Sequence, residues 1–487
     1  MNSTLLLLPV LIPLLAGTLV GFYTFPTKKI RSIFIFLASL LNSLVILLLL
    51  LIPPAEPLPL FSLTKEFPFT LRLDGAGMIF LALIAFLWPL AVLYALEYMA
   101  HEDNQHRFFG FYLISYGVTA GVALSANLLT MYFFYELLTL STVLLVGHDG
   151  NRRAMAAARK YIIYSMGGAA LSLTGILMLY SRTGAADFHF GGFAAKTSPD
   201  SFLLTAYLLT FFGFGVKAAV FPLHAWLPAA GVAPTPVTAL LHAVAVVKSG
   251  VFACIRSTFY AFGPGLLSGT WAQKMVLAMT AFTIVYGSAM ALREQHLKRR
   301  LAYSTVSNLS YILFGMALMT TSGLTAAFSH MLFHGIIKIT LFFCAGTVLC
   351  KTGREYVPQL TGLGRKMPLT FLTFTLSALA LTGTPLLPGF ISKMNLITAA
   401  AALGGGWAMT GVVALLLSAL LTAAYLLPIS VRAFLVSDER EPKFTERDRD
   451  PGMLMLIPFA VLCLTMAVLG THAVPVMDLL AKILAGS

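Results

Sequence analysis

Phe211 to Pro228 reads FFGFGVKAAVFPLHAWLP, apolar almost throughout but broken by Lys217, Pro222 and His224. Pro222 has no amide hydrogen for the carbonyl of Ala218 one turn earlier, so Lys217 sits beside an opened backbone. Apart from Lys217, the residues from Gly213 to Phe221 are all apolar or glycine, so the lysine has no wet helix face to turn toward. Inside a membrane bundle, by contrast, a broken helix carrying a charge is tolerated where it lines a polar interior. The whole 487-residue chain suits that solvent, being 58% hydrophobic and 10% charged with a mean hydropathy of +0.87. Soluble domains run near roughly 25% charged, which excludes an ordinary water-soluble enzyme and a disordered chain together.

Apolar runs bounded by charge, Pro or Gly clusters predict an all-α polytopic membrane protein with about fourteen transmembrane helices. They lie near 3–22, 31–52, 74–96, 107–126, 127–147, 159–180, 202–224, 236–257, 271–293, 300–319, 322–350, 368–402, 408–434 and 452–472. The opening MNSTLLLLPVLIPLLAGTLVGF has no basic residue before Lys28 and reads as a retained first helix rather than a signal peptide. The net charge of +13 tests the scheme, because membrane proteins gather Lys and Arg in cytoplasmic loops. Loops after odd-numbered helices hold 21 basic residues. Loops after even-numbered helices and the tail hold 7: Lys65, Arg72, Arg182, Lys196, Arg256, Lys274 and Lys482. Both termini are therefore expected on the non-cytoplasmic side, and nucleic acid is not needed to explain the basic balance. Cys254, Cys344, Cys350 and Cys463 all fall in apolar stretches without CxxC or His spacing, which disfavours disulfides, zinc and iron–sulfur clusters.

The count leaves four lysines inside predicted spans, Lys217, Lys248, Lys338 and Lys393, and among the acids only Glu136, in NLLTMYFFYELLTLS, reads as comparably deep. A charge at the bilayer centre costs several kcal/mol unless paired or hydrated, so such residues face the bundle interior and mark a pathway. The twelfth span, LTGTPLLPGFISKMN, repeats the pattern of the seventh: Pro385 and Pro388 free the carbonyls of Leu381 and Thr384, with Lys393 about a turn beyond. Two helices broken next to a lysine, five spans apart, predict spans four to eight repeated in inverted orientation as nine to thirteen. The expected division is residues 1–106 for the first three helices, 107–257 and 271–434 for the two five-helix repeats, and 452–487 for the last helix and a short tail. In SHMLFHGIIKITLFF, His330, His334 and Lys338 stand at i, i+4 and i+8, stacked on one helix face. In LLHAVAVVKSG, His242 and Lys248 lie nearly two turns apart. Histidines between lysines can pass protons along bridging waters. The plainer reading, interior hydrogen-bonding, suits His224 best. A metal at His330 and His334 is disfavoured by the adjacent Lys338 and the lack of a third ligand.

With these motifs in view, the chain resembles the antiporter-like subunits of respiratory complex I (NADH:quinone oxidoreductase), of multisubunit cation/proton antiporters and of membrane-bound hydrogenases. The run FPLHAWLPAAGVAPTPVTALLHAVAVVKSGVF (Phe221 to Phe252), with FYELLTLS, SHMLFHGIIKITLFF and PLLPGFISK, carries the resemblance, which extends from about Phe108 to Arg432. It implies a fourteen-helix core with two inverted five-helix repeats about a hydrophilic axis. It also implies that Glu136 is the fifth-helix glutamate and Lys217 its partner on the broken seventh helix. Lys248 and His242 would take the eighth-helix positions, His330, His334 and Lys338 the eleventh-helix face, and Lys393 the broken twelfth helix. Where many relatives carry an acidic residue and then Ala-His after WLP, this chain has Ala229, Ala230 and Gly231.

The expected function is proton movement along Glu136, Lys217, Lys248 with His242, His334 with Lys338, and Lys393 at one exit, within a multisubunit complex in a bacterial or archaeal plasma membrane. Sodium or potassium transport is one alternative, and a non-transporting structural component of a membrane arm is the other. Partners would be other membrane subunits and lipid. No cofactor loop, metal-ligand cluster or nucleophile–base arrangement stands at recognisable spacing, so redox chemistry would belong to the partners. A lysine of ordinary pKa, near about 10.4, keeps its proton at neutral pH, so a carrier lysine needs a switch. A carboxylate at about 4 Å with an effective dielectric near 20 attracts an ammonium by around 4 kcal/mol, so its approach and withdrawal would suffice.

Overall fold

The computed structural model describes residues 2–62, 67–195, 197–435 and 448–485. Lys65, Lys196, Arg440, Lys443 and Arg447 of the charge count, and the last two residues of the tail, lie outside them. Polar side chains start several of the long helices by accepting an orphan amide of the first turn, as N-caps do. After a 3₁₀ turn, α1 (Leu8–Phe22) is followed by α2 (Lys28–Leu51, capped by Thr27) and α3 (Gly75–Tyr98, capped by Asp74). Then come α4 (Gln105–Leu124), α5 (Leu128–Val146, capped by Asn127), α6 (Arg152–Thr183, capped by Asn151) and α7 (Ser201–Gly215, capped by Asp200). The short α8 (Trp226–Ala229) leads to α9 (Thr235–Ala243), α10 (Val246–Arg256) and α11 (Pro264–Leu267). The second half holds α12 (Trp271–Arg293), α13 (Leu297–Ala317), α14 (Thr321–Thr352), α15 (Pro368–Thr382), α16 (Pro388–Leu403), α17 (Gly406–Phe434), α18 (Met453–Thr471) and α19 (Ala473–Ala485).

Each of the fourteen predicted runs holds a helix, and eleven helical segments among the described residues are long and apolar enough to cross a membrane. Ser201–Gly215 and Pro368–Thr382 are apolar but shorter, because each is the first half of a broken helix. The chain is a membrane protein by this measure. Burial locates its axis: the apolar window of Thr235–Phe262 is 100% buried and that of Thr321–Thr352 89%, against 39% for Ser3–Phe22 and 33% for Lys28–Leu51. The helices that carry His242, Lys248, His330, His334 and Lys338 are thus among the most enclosed.

Four features depart from the sequence reading. The seventh span ends as a helix at Gly215, before Lys217, and residues 216–225 run as turns, so the interruption is wider than a proline kink. The eighth span is interrupted between α9 and α10 at Val244 and Ala245, without Pro or Gly, where Ala245 N donates to Leu240 O, and it closes in a π-helical turn, Ser257–Phe262. A two-stranded antiparallel hairpin, β1 (Leu58–Ser62) with β2 (Pro68–Leu71), precedes α3 in a chain expected to be all-α. The tail forms a further helix, α19.

Candidate functional site

Two helix breaks and one uninterrupted helix bring the deep charges together. At the first break, Gly250 of α10 allows the backbone of 217–218 to lie directly against it: a Cβ at Gly250 would come within 2.5 Å of Ala218 N and 2.7 Å of Lys217 C. Trp226 Nε1 donates to Val216 O at 2.7 Å, and Phe221 N donates to Thr283 Oγ1 at 3.2 Å, which satisfies part of the opened backbone. Lys217 is fully buried, and its Nζ lies 4.0 Å from Glu136 Oε1, a separation that makes an ion pair without a direct hydrogen bond. The ammonium instead donates to the carbonyl of Tyr135 and sits 3.4 Å from the centre of that residue's ring. Tyr135 Oη in turn donates to Phe214 O at 3.1 Å, so this one residue ties α5 both to the end of α7 and to the break. Glu136 Oε1 is enclosed and accepts no hydrogen bond.

At the second break, Gly383 ends α15 with φ 100°. Gly389 lets α16 start against it, for a Cβ there would overlap Ala380 O at 1.8 Å. Lys393 Nζ donates to Leu381 O at 2.6 Å and Thr382 O at 3.0 Å. Leu381 is one of the two carbonyls the prolines were expected to free; the other, Thr384 O, accepts Leu387 N at 3.2 Å. Lys393 therefore neutralises the C-terminal end of α15, where the peptide dipoles leave partial negative charge.

Between the breaks runs α14. Lys248 Nζ lies 2.6 Å from His334 Nδ1, the His334 and His330 rings stack at 5.8 Å, and His330 Nδ1 lies 2.9 Å from Ser392 Oγ, the residue before Lys393. Lys338 donates to Leu301 O at 3.0 Å. His242 stacks on Phe342 at 4.5 Å, with neither ring nitrogen hydrogen-bonded. One link is indirect: no hydrogen bond or ion pair joins Lys217 to Lys248 among the described residues, and they approach through α10, where Gly250 meets the Lys217 backbone. His224 packs on Phe221 and Tyr286, and its Nδ1 makes no hydrogen bond.

Two residues assigned to loops belong inside. Arg256 is fully buried in α10 and pairs with Asp74 at 2.6 Å among the rings of Phe188, Phe252 and Tyr260. The Asp74 side chain is 10% exposed against 21% for Glu136, so Glu136 is not the most enclosed acid. Asp74 and Arg256 lie at the ends of apolar runs, where a charge reads as loop. Lys298 is likewise buried, donating to Ala233 O at 2.9 Å. Ser392 carried no signal of its own beyond its place beside Lys393.

Comparison with known proteins agrees with the geometry. The family described as NADH:quinone oxidoreductase/Mrp antiporter, TM, matches residues 125–422, and that of the NADH-ubiquinone oxidoreductase (complex I) chain 5 N-terminus matches residues 62–109. The chain is 33% identical over 408 residues to NADH-quinone oxidoreductase subunit N of Desulforudis audaxviator, covering 80% of this chain and 79% of that one. It is 36% identical over 330 residues to a probable K(+)/H(+) antiporter protein, the A/B component, of Rhizobium meliloti, covering 67% of this chain but only 32% of that longer protein. Among solved structures, a chain of the membrane-bound sulfane sulfur reductase, an archaeal respiratory membrane complex, superposes with a TM-score of 0.86 at 25% identity, covering 100% of this chain and 98% of that one. The chain belongs to the family of antiporter-like membrane subunits shared by NADH:quinone oxidoreductases and Mrp antiporters.

Proposed function

We propose that this chain translocates protons as one membrane component of a multisubunit complex, along Glu136, Lys217, Lys248 with His242, His334 and His330 with Lys338, and Lys393 at one exit. The observation that carries the reading is the run of contacts Lys248–His334–His330–Ser392, enclosed in apolar helices and ending beside a lysine in a helix break. Histidines set in such a run, with a water between the stacked rings of His334 and His330, are suited to staged proton transfer. The two broken helices, each carrying a lysine and each accommodated by a glycine, support fourteen crossings with two inverted five-helix repeats, 107–257 and 271–434. The charge count supports both termini on the non-cytoplasmic side of a bacterial or archaeal plasma membrane.

Partner subunits follow from α5. Glu136 lies on its outward face with Phe133, Leu140 and Leu144, which are 37%, 54% and 45% exposed. A carboxylate at membrane depth does not face lipid, so another membrane protein of the complex covers this face and completes the surroundings of Glu136.

Transport in everted vesicles that hold the assembled complex tests the reading. Lys217→Ala is expected to abolish proton transfer while the chain stays assembled, and normal transfer by an assembled mutant would remove the assigned role. If Glu136 and Lys217 only fix helix association, assembly is lost instead, because an unpaired charge stays buried. A second reading, sodium or potassium transport, draws on the K(+)/H(+) antiporter relative. It predicts that flux follows a sodium or potassium gradient rather than a pH gradient alone.

A further inference from the structure

His242, Lys248, His334 and Lys338, the middle stations of the proposed pathway, are fully buried, so a proton reaches them only through another group or through enclosed water. The chain around the start of α9 offers no such group, since Ala225 to Leu241 contains no titratable side chain. The start of α13 supplies one instead. The connection ahead of α9 lies against it, for a Cβ at Gly231 would stand 3.9 Å from Arg299 Cγ, and Lys298 Nζ reaches across to donate to Ala233 O at 2.9 Å. The same turn is strapped to the connection after α14: Leu297 N donates to Glu355 O at 2.8 Å and Val357 N to Gln295 O at 3.0 Å.

Lys298 is 5% exposed, and among the described residues no carboxylate lies within ion-pair distance of it. A buried ammonium without a carboxylate is costly, and holding one carbonyl does not require a charge, since a neutral donor would serve. Lys298 stands ahead of the apolar run 300–319, and burial pulls its ammonium down to about 8, the attraction of Glu355 and Asp149 opposing. An amine in that range gives up and regains its proton close to neutral pH, which a lysine near about 10.4 does not. Inward, the step is short. Leu301 lies three residues on, on the same face of α13 and about 4.5 Å further along its axis. Its carbonyl accepts Lys338 Nζ at 3.0 Å, so Lys298 shares one helical turn with the contact that holds Lys338. Outward, the same turn opens on the Glu355 side chain, which is 44% exposed.

We propose that Lys298 is the station at which protons enter the middle of the pathway from the side that carries the basic loops. Its neutral amine takes a proton from water at the surface, and the resulting ammonium hands a proton inward, through water at the Leu301 turn, to the neutral amine of Lys338. Lys298 is then neutral again and Lys338 carries the charge. The assignment rests on the proton-translocation reading and adds an entry to it.

The test measures proton transfer by the assembled complex in vesicles after a pH jump on the basic-loop side. Lys298→Arg keeps the positive charge and a donor for Ala233 O but holds its proton at every working pH. It is expected to assemble normally and to slow transfer by about 100-fold, the lower end of what a positioned acid–base group contributes. Lys298→Met, which removes charge and donor together, is expected to slow transfer at least as much. Normal transfer by Lys298→Arg would overturn the proposal and leave the lysine as a pin for the connection ahead of α9. Normal transfer by an assembled Lys298→Met would place the entry elsewhere, and loss of assembly in both variants would likewise make the residue a structural pin. Lys217→Ala, run alongside, separates the two readings: its normal transfer would remove the translocation pathway itself, whereas its loss of transfer beside a normal Lys298→Arg would remove the entry station alone.

Discussion

The two helix breaks hold their lysines by different means. At the first, Lys217 lies in the break itself, against the Tyr135 carbonyl and ring, with Glu136 Oε1 4.0 Å away and accepting no hydrogen bond. At the second, Lys393 lies inside the following half-helix and reaches back to the last carbonyls of α15, with no acidic partner among the described residues. A carboxylate on a side chain can move, and its field at the ammonium changes steeply with distance. Backbone carbonyls at a helix end are fixed by the fold. In the proposed mechanism the first break is therefore the adjustable station and the second a fixed one.

The largest expected effect comes from the fixed station. Lys393→Met should lower proton transfer in vesicles to background, as Lys217→Ala does, with assembly retained because the freed carbonyls of Leu381 and Thr382 can take water. Rapid transfer by this variant would place the exit elsewhere. Next, Glu136→Gln should slow transfer by about 100-fold, since roughly 4 kcal/mol of attraction, discounted for partial exposure, leaves some 2–3 kcal/mol of switching. Were Glu136→Gln to transfer normally while Lys217→Ala did not, both lysines would be held by carbonyls alone and the contrast would vanish. Ser392→Ala removes the hydroxyl that meets His330 Nδ1 and donates to Gly389 O, one residue before Lys393. It is expected to slow transfer several-fold and to cost about 1 kcal/mol of stability; an unchanged rate would mean that protons bypass His330.

How far the sequence displayed this depends on what kind of signal each residue gives. Lys217, Lys393 and Glu136 stand out because a charge inside an apolar run has no cheap explanation. Pro385 pointed to the Leu381 carbonyl that Lys393 uses, since a missing amide has a fixed position one turn upstream. The Asp74–Arg256 pair gave no such signal: each residue sits at the edge of an apolar run, and only the fold brings α10 beside the start of α3. The interruption at Val244 and Ala245 has no Pro or Gly to announce it. Tyr135 and Ser392 are common residues in membrane helices, and their roles come from neighbours far along the chain.

The smallest effect tests the same balance of burial against carboxylate at an accessible place. His296, in the connection between α12 and α13, has Nε2 3.5 Å from Glu355 Oε2 and an enclosed Nδ1 without a hydrogen bond. Burial pulls its imidazole below the usual histidine range, and the attraction of Glu355 opposes this only in part. A histidine that protonates less readily folded than unfolded contributes stability in full above its unfolded pKa, near about 6.5. That contribution is lost as pH falls through the folded value, so acid should destabilise the protein through this residue. His296→Gln cannot titrate and should flatten the change in melting temperature between about pH 7.5 and about pH 5.5. A steeper acid loss in the variant would mean that the protonated ring gains more from Glu355 than it loses to burial. A carboxylate at ion-pair distance would then be enough to hold a half-buried cation, and the 4.0 Å between Lys217 and Glu136 would favour a closed pair over an adjustable one.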